Sequence, residues 1–311
     1  MSKLSTVTSN PMIRQYAQGV AHSSIQPIAD FLAPTVNVPT MSGRFKVYGD
    51  QNRFKIPDTA RALGGPATQV RFTASDGTYQ CQPRALDYPI DNLEKLESAD
   101  LEDAVKEGML CVSELASLDH EKRVVDMALG ALSARSANKT WNSSADPVAD
   151  IDAQIRDIML NVNYGSMMDI GVIFGCDAWL IFKNHAKVRS MLPVGRKSDN
   201  LQIVDMPAAR SLLLGTPETR VSFMAYDSAP EGKQASPAFI LGTKVLIFAR
   251  HKTPTRRDPS FMKTFRLNNR YMVPGSYETV DGRGEVVKFD WSEDPHVINA
   301  SAGFLLNVSA S

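Results

Sequence analysis

The chain has 311 residues, 34 Lys+Arg against 34 Asp+Glu, and three cysteines. That length excludes a peptide or a small disulfide scaffold and leaves room for one large or two modest domains. Zero formal net charge removes any whole-molecule attraction to nucleic acid or anionic membrane, so such contacts have to be local. Cys81, Cys111 and Cys176 are odd in number and far apart, as expected of reduced thiols in an intracellular fold.

The N-terminal residues lack the apolar core of a signal peptide, and the apolar runs Ala178–Phe182 and Val245–Ala249 are far shorter than the ~20 residues of a spanning helix. A soluble protein made in the cytoplasm is expected. Residues 1–45 carry Ile13, Tyr16, Val20, Ile25, Ile28, Phe31, Leu32, Val36 and Val38, punctuated by Pro11, Pro27, Pro34 and Pro39. This arm is too apolar for a solvated tail and too interrupted for long elements. It is expected to lie extended on a surface, its own domain's or a neighbour's.

From Thr68 to Pro83 two alternating runs meet at Asp76-Gly77, a strong hairpin signal. With Ser75 opposite Thr78, the predicted register puts Val70, Phe72, Ala74, Tyr79, Cys81 and Pro83 on one face, and Arg71, Thr73, Gln80 and Gln82 on the other. An isolated ribbon is marginal in water, so its apolar face needs a partner surface.

Residues 91–135 contain no proline, and Leu101, Val105, Met109, Val112, Leu115, Ala116, Leu118, Val125, Ala128, Leu129 and Leu132 recur at helical spacing. A helix from about Asp100 to Leu132 follows, long enough to act as a spine. Its acidic excess, 11 Asp/Glu to 5 Lys/Arg over 91–135, reads as a solvated face.

Ser136–Ser144 reads as a polar break, after which Asp146-Pro147 starts a helix striped by Val148, Ile151, Ile155, Ile158, Met159 and Val162. The pattern then predicts a strand over Ile170–Cys176, a helix over Asp177–Met191, and a strand followed by irregular chain over Asn200–Leu214. Six short strands follow: Val221–Tyr226, Ala238–Ala249, Phe261–Leu267, Tyr277–Val280, Glu285–Phe289 and Gly303–Val308.

Catalytic patterns fail one by one. His120-Glu121 lacks the second histidine of a zinc helix, and no phosphate-cradling glycine loop occurs; Asp281-Gly282 reads as a β-turn. Asp146, Asp150 and Asp152 read as helix-start aspartates. Ser136-Ala-Asn-Lys139 and Ser198-Asp-Asn200 match two motifs of serine β-lactamases, which makes a serine hydrolase using Ser136 and Lys139 a competing reading. Its weakness is context: Ser136 follows a helix end, and the third motif is absent. No catalytic residue, cofactor or metal site is expected. Residues 244–270 hold eight Lys/Arg against one acid, with Arg250, Lys252, Arg256 and Arg257 as candidate electrostatic contacts.

The order of apolar arm, hairpin, long helix, α/β segment and terminal strands resembles the major capsid proteins of tailed bacteriophages, with the Hong Kong 97 type α+β fold. The local sequences Ile28-Ala-Asp-Phe-Leu-Ala-Pro34, Ser42-Gly-Arg-Phe-Lys-Val-Tyr48, Trp141 to Ile151 and Gly175 to Val188 are similar to the family's, with Ala186 in place of the usual proline and Met168-Asp169 in place of Pro-Asn. The resemblance implies an N-terminal arm (1–45), an extended hairpin loop (46–90), a peripheral domain with the spine helix (91–145), an axial domain (146–250) and strands returning to the peripheral domain (251–311). It further implies hexamers and pentamers of an icosahedral shell around double-stranded DNA held without sequence-specific binding, with scaffold, portal and decoration proteins as further partners, in a virion made in the host cytoplasm, with no membrane. An encapsulin-like bacterial compartment is the alternative on the same fold. Ile28, Phe31, Val70, Phe72 and Tyr79 are the candidate assembly residues. Some relatives crosslink through a hairpin lysine, for which this sequence has no close match.

Overall fold

The computed structural model describes residues 27–48, 56, 58–61, 63–69, 74–93, 101–162, 169–192, 197–198, 201–202, 204–230 and 232–310. The arm before Pro27, the hairpin residues Val70 and Phe72, and Asp199-Asn200 lie outside the described residues. In chain order the elements are α1 (Ala29–Leu32), β1 (Thr35–Val38), β2 (Ser42–Tyr48), β3 (Ala74–Gln80), β4 (Gln82–Asp91), α2 (Leu101–Ala131), β5 (Ser136–Thr140) and α3 (Pro147–Val162). They continue with β6 (Asp169–Gly175), α4 (Cys176–Asn184), α5 (Ala186–Ser190), β7 (Lys197–Ser198), β8 (Leu201–Gln202), α6 (Met206–Leu212), β9 (Glu218–Ser222), β10 (Ala225–Asp227) and β11 (Pro237–Phe239). The last are β12 (Lys244–Arg250), β13 (Met262–Leu267), β14 (Val273–Glu278), β15 (Gly284–Val297) and β16 (Gly303–Ser309).

Two five-stranded sheets carry the fold. The first has the order β5-β16-β12-β6-β9, with β12 antiparallel to both β16 and β6. The apolar run Val245–Ala249 is buried throughout, as in a central strand covered on both faces, and α3 and α4 pack on this sheet. In the second sheet β15 is the long axis. β4 runs along one edge of it, and β14 then β13 along the other, with β1 parallel to β13.

α2 joins the two sheets. Its 31 residues span about 46 Å at ~1.5 Å per residue. Met109, Val112 and Ala116 bury against Ile90, Val287, Phe289 and Trp291 of the second sheet, whereas Val124, Val125, Ala128 and Leu132 enter the core of the first.

The structure departs from the sequence reading in several places. Ser136–Thr140 is a strand, because its polar side chains find cross-strand partners: Asn307 Nδ2 donates to Asn138 Oδ1 (3.0 Å) and Ser309 Oγ to Thr140 Oγ1 (3.1 Å). The helix expected over Asp177–Met191 is two, broken at His185, whose Nδ1 accepts from the Lys187 N–H (3.3 Å) and starts α5. Within Asn200–Leu214 the chain forms α6, started by Asp205 accepting from the Ala208 N–H (2.9 Å), with a proline in its first turn. β16 pairs with β12 and β5 rather than with β13–β15, so the last strand lies in the first sheet and not in the unit expected for 251–311.

The largest correction concerns Asp76-Gly77. The dipeptide lies inside β3, which pairs antiparallel with β2 rather than folding back at residue 76. Gly43 faces Tyr79 and Phe45 faces Gly77 in that register. A Cβ on Gly77 would sit 2.4 Å from the Phe45 ring, and one on Gly43 2.4 Å from the Tyr79 hydroxyl, so each glycine is the seat of the opposite aromatic ring. Asp76 pairs with Lys46 (2.5 Å) across the same ladder.

Candidate assembly surfaces and the ionic joint beneath them

Glu293 lies on the inward face of β15, in alternation with Val287, Phe289 and Trp291, and is fully buried. Its carboxylate accepts from Arg123 (2.6 Å) on α2 and Arg266 (3.3 Å) on β13, and sits 2.8 Å from Nδ1 of His120. Burial by itself would raise the Glu293 pKa; the His120 hydrogen bond and the charges of His120, Arg266 and Arg123 outweigh it and hold the carboxyl far below its ordinary value. Three donors on one buried acid lock the spine helix to the second sheet, and such a joint loses far more when one partner is removed than it gains as a pair.

The adjacent Glu121, also fully buried, accepts from the Ile28 N–H (2.9 Å) and so ties the start of α1 to the spine. Burial pushes its pKa up to about 7 against the lowering effect of the Ile28 and Ala29 N–H groups. Ile28 and Phe31, expected to meet a neighbouring subunit, are instead buried in their own core. The Phe31 ring meets Phe248 edge-on (5.4 Å) and carries the Arg250 guanidinium at 4.2 Å and the Arg220 guanidinium at 4.4 Å.

Tyr79 is likewise turned inward, its ring stacked on Phe265 (4.6 Å), with Phe45 also stacked on Phe265 (5.3 Å). Cys81 Sγ donates to the Phe265 carbonyl (3.4 Å), and the Gln80 N–H to Asp294 (3.0 Å), so the ribbon's inner face rests on β13 and β15 of its own chain. The cause is register: with β2 as its partner, the aromatic face acquires Phe45 and Val47 and closes a small core with Val36, Val38 and Ile298.

The basic block does not act as one face. Arg250 is largely buried and paired with Glu218. Arg256 points to the Tyr79 ring at 6.0 Å, and only Lys252 and Arg257 of the four are exposed. Lys252 reaches Asp169 (3.3 Å).

The candidate catalytic groups are also engaged elsewhere. Ser136 Oγ donates to the Ser133 carbonyl (3.0 Å) and Lys139 pairs with Asp150 (2.8 Å); three residues apart on a strand, they project to opposite faces. Asp146 receives the Ala149 N–H (3.2 Å) and pairs with Lys187 (2.6 Å), whereas Asp152 receives the Leu214 N–H (2.8 Å). The three aspartates thus diverge. Among the described residues no group of three or more His, Cys, Asp or Glu could hold a metal ion, and no helix is long and apolar enough to cross a membrane.

Several large apolar side chains are exposed. Ile56 and Leu63, between β2 and β3, are fully exposed, as is Val280 at the β14–β15 turn. Leu115, 51% exposed, and Phe223, 64% exposed, line a groove with Cys111, Glu114, Leu118, Met224 and Ala225.

No protein-family model and no curated protein matches the sequence. Solved structures do match in fold. A phage-related protein from Bordetella bronchiseptica RB50 has a TM-score of 0.71 at 17% identity, covering 97% of this chain and 98% of that one. The capsid of the cyanophage P-SCSP1u gives 0.57 at 13% identity over 92% and 89%. An encapsulin complex from Synechococcus elongatus gives 0.55 at 9% over 100% and 94%. The chain therefore has the α+β fold of Hong Kong 97 type capsid proteins along essentially its whole length.

Proposed function

We propose that this chain is the major capsid protein of a tailed bacteriophage, a structural rather than catalytic subunit that assembles through hexamers and pentamers into an icosahedral shell around double-stranded DNA. The carrying observation is the end-to-end fold likeness to the cyanophage capsid and the phage-related protein. The apolar groove in which the exposed Leu115 and Phe223 lie side by side supports it, because apolar surface gathered in one place on a subunit marks a face that can take a partner. Scaffold, portal and decoration proteins are the further partners of this reading, and the virion, assembled in the host cytoplasm, its location. The arm (1–45), hairpin loop (46–90), peripheral (91–145) and axial (146–250) units and the strands returning to the peripheral domain (251–311) are its proposed parts, with β5 and β16 assigned to the axial sheet.

The test is to purify the full chain and image it in negative stain: closed shells are expected, and a stable monomer would contradict the reading. Shells that protect DNA from nuclease fit a phage head; shells loaded with an enzyme would favour the encapsulin reading, which the match over 100% of the chain supports. Val70 and Phe72 are proposed to dock on a neighbouring subunit, and replacing both by aspartate is expected to lower shell yield about tenfold or more. An unchanged yield would remove them from the interface.

A further inference from the structure

The segment 251–258 between β12 and β13 is a surface loop with a buried brace. Lys263 on β13 is fully buried, at 0% exposure. Its ammonium lies 2.9 Å from the Asp258 carboxylate and donates to the carbonyls of Thr255 (2.5 Å) and Asp258 (2.6 Å). Asp258 in turn accepts from the Thr255 N–H (2.5 Å) and hydroxyl (3.0 Å), and the Thr255 hydroxyl accepts from the Arg257 N–H (3.2 Å). Taking a lysine wholly out of water is costly unless its donors are engaged. All three of these contacts go to an exposed turn, and what they secure is that turn's shape. A loop fixed in advance loses little entropy on docking.

The braced loop presents a free cation. Arg257 is exposed and has no acid partner among the described residues, whereas Lys252, 71% exposed at its side chain, is paired with Asp169. Opposite charge sits on the outward stripe of α2, where Glu107, Cys111, Glu114, Leu115 and Leu118 share one face by their helical spacing. From Cys111 to Leu118 this stripe, with Phe223, walls the apolar groove, of about 490 Å³. Glu107 and Glu114 are exposed and form no ion pair among the described residues.

We infer that the 252–257 loop of one copy seats in the α2–Phe223 groove of the next, with Arg257 against Glu114 and Pro254 against Leu115 and Phe223. Loop against loop sets cation on cation, and groove against groove sets carboxylate on carboxylate; only loop against groove is complementary. The contact is therefore head to tail, the kind that closes rings of identical subunits. It rests on the shell-forming reading and names one contact within it.

The test uses the full-length chain and reads assembly by sedimentation and negative stain. Arg257→Glu and Glu114→Lys, both at exposed positions, are each expected to cut shell yield about tenfold while leaving the melting temperature of the subunit in place. Combining the two is expected to restore assembly. Arg257→Cys is expected to form an oxidant-dependent ladder with the exposed Cys111 of neighbouring copies, lost on Cys111→Ser. Wild-type yield from both single reversals, or no rescue in the pair and no ladder, would overturn the contact. So would an Arg257→Glu variant that forms shells normally but retains less DNA, since the loop would then face nucleic acid. If the wild-type chain forms no shells at all, the failure is that of the capsid reading itself, and the contact falls with it.

Discussion

The chain contains Asp-Gly twice in segments that look alike, and the two have opposite fates. Asp281-Gly282 turns the chain between β14 and β15: Gly282 has φ +68° and its N–H donates to the Thr279 carbonyl (2.9 Å). Asp76-Gly77 stays extended inside β3 because Phe45 covers Gly77, and Lys46 pairs with Asp76. A turn preference is a local energy of about 1 kcal/mol. Two aromatic–glycine pairs stacked on Phe265 over a buried joint exceed it.

The sharpest way to break this contrast is to remove what holds the ribbon's floor in place. Glu293→Ala leaves His120, Arg123 and Arg266 facing a buried hole and is expected to destabilise the fold by about 3–5 kcal/mol in denaturant titration. Because the Glu293 pKa is depressed, its contribution is complete above about pH 4.5 and is lost as pH falls below that value. Glu121, which anchors the arm leading to β1 beneath the ribbon, behaves in the opposite sense. Its raised pKa means that its contribution is complete below about 4.5 and is lost as pH rises through about 7. Wild-type stability should therefore fall by roughly 3 kcal/mol at most across that window from this group. Glu121→Gln is expected to flatten the slope, being more stable than wild type at pH 8 and equal to it at pH 4; an unchanged slope would assign the dependence elsewhere.

Gly77→Val drives a branched side chain into the Phe45 ring and is expected to cost about 2–3 kcal/mol, partly relieved by Phe45→Ala. Gly282→Ala, in open space but at positive φ, is expected to cost only about 1 kcal/mol. Were the two glycine substitutions equal in effect, Gly77 would not be the seat of the ring.

The spine helix was legible because its apolar positions repeat every three to four residues with no proline, and the overall fold because the order of elements is itself a pattern. Asp76-Gly77 was misread because its true partner, β2, lies about 30 residues upstream across the β2–β3 connection, where no local signal points to it. Polar Ser136–Thr140 and the helix at Met206–Leu212 depend on partners and caps that strand and helix periodicity do not weigh. The ionic joint draws on residues 120, 123, 266 and 293, too dispersed to form a motif. One signal was present: Glu293 occupies an inward position in the alternation Val287, Phe289, Trp291, where a carboxylate requires buried partners.

Aromatic rings and paired charges fill the interior, whereas Ile56, Leu63, Phe223 and Val280 remain turned outward. Electron microscopy of the freshly purified full chain is the most direct measurement of what covers them. The account predicts uniform closed particles built from this polypeptide; a field of separate subunits would contradict it.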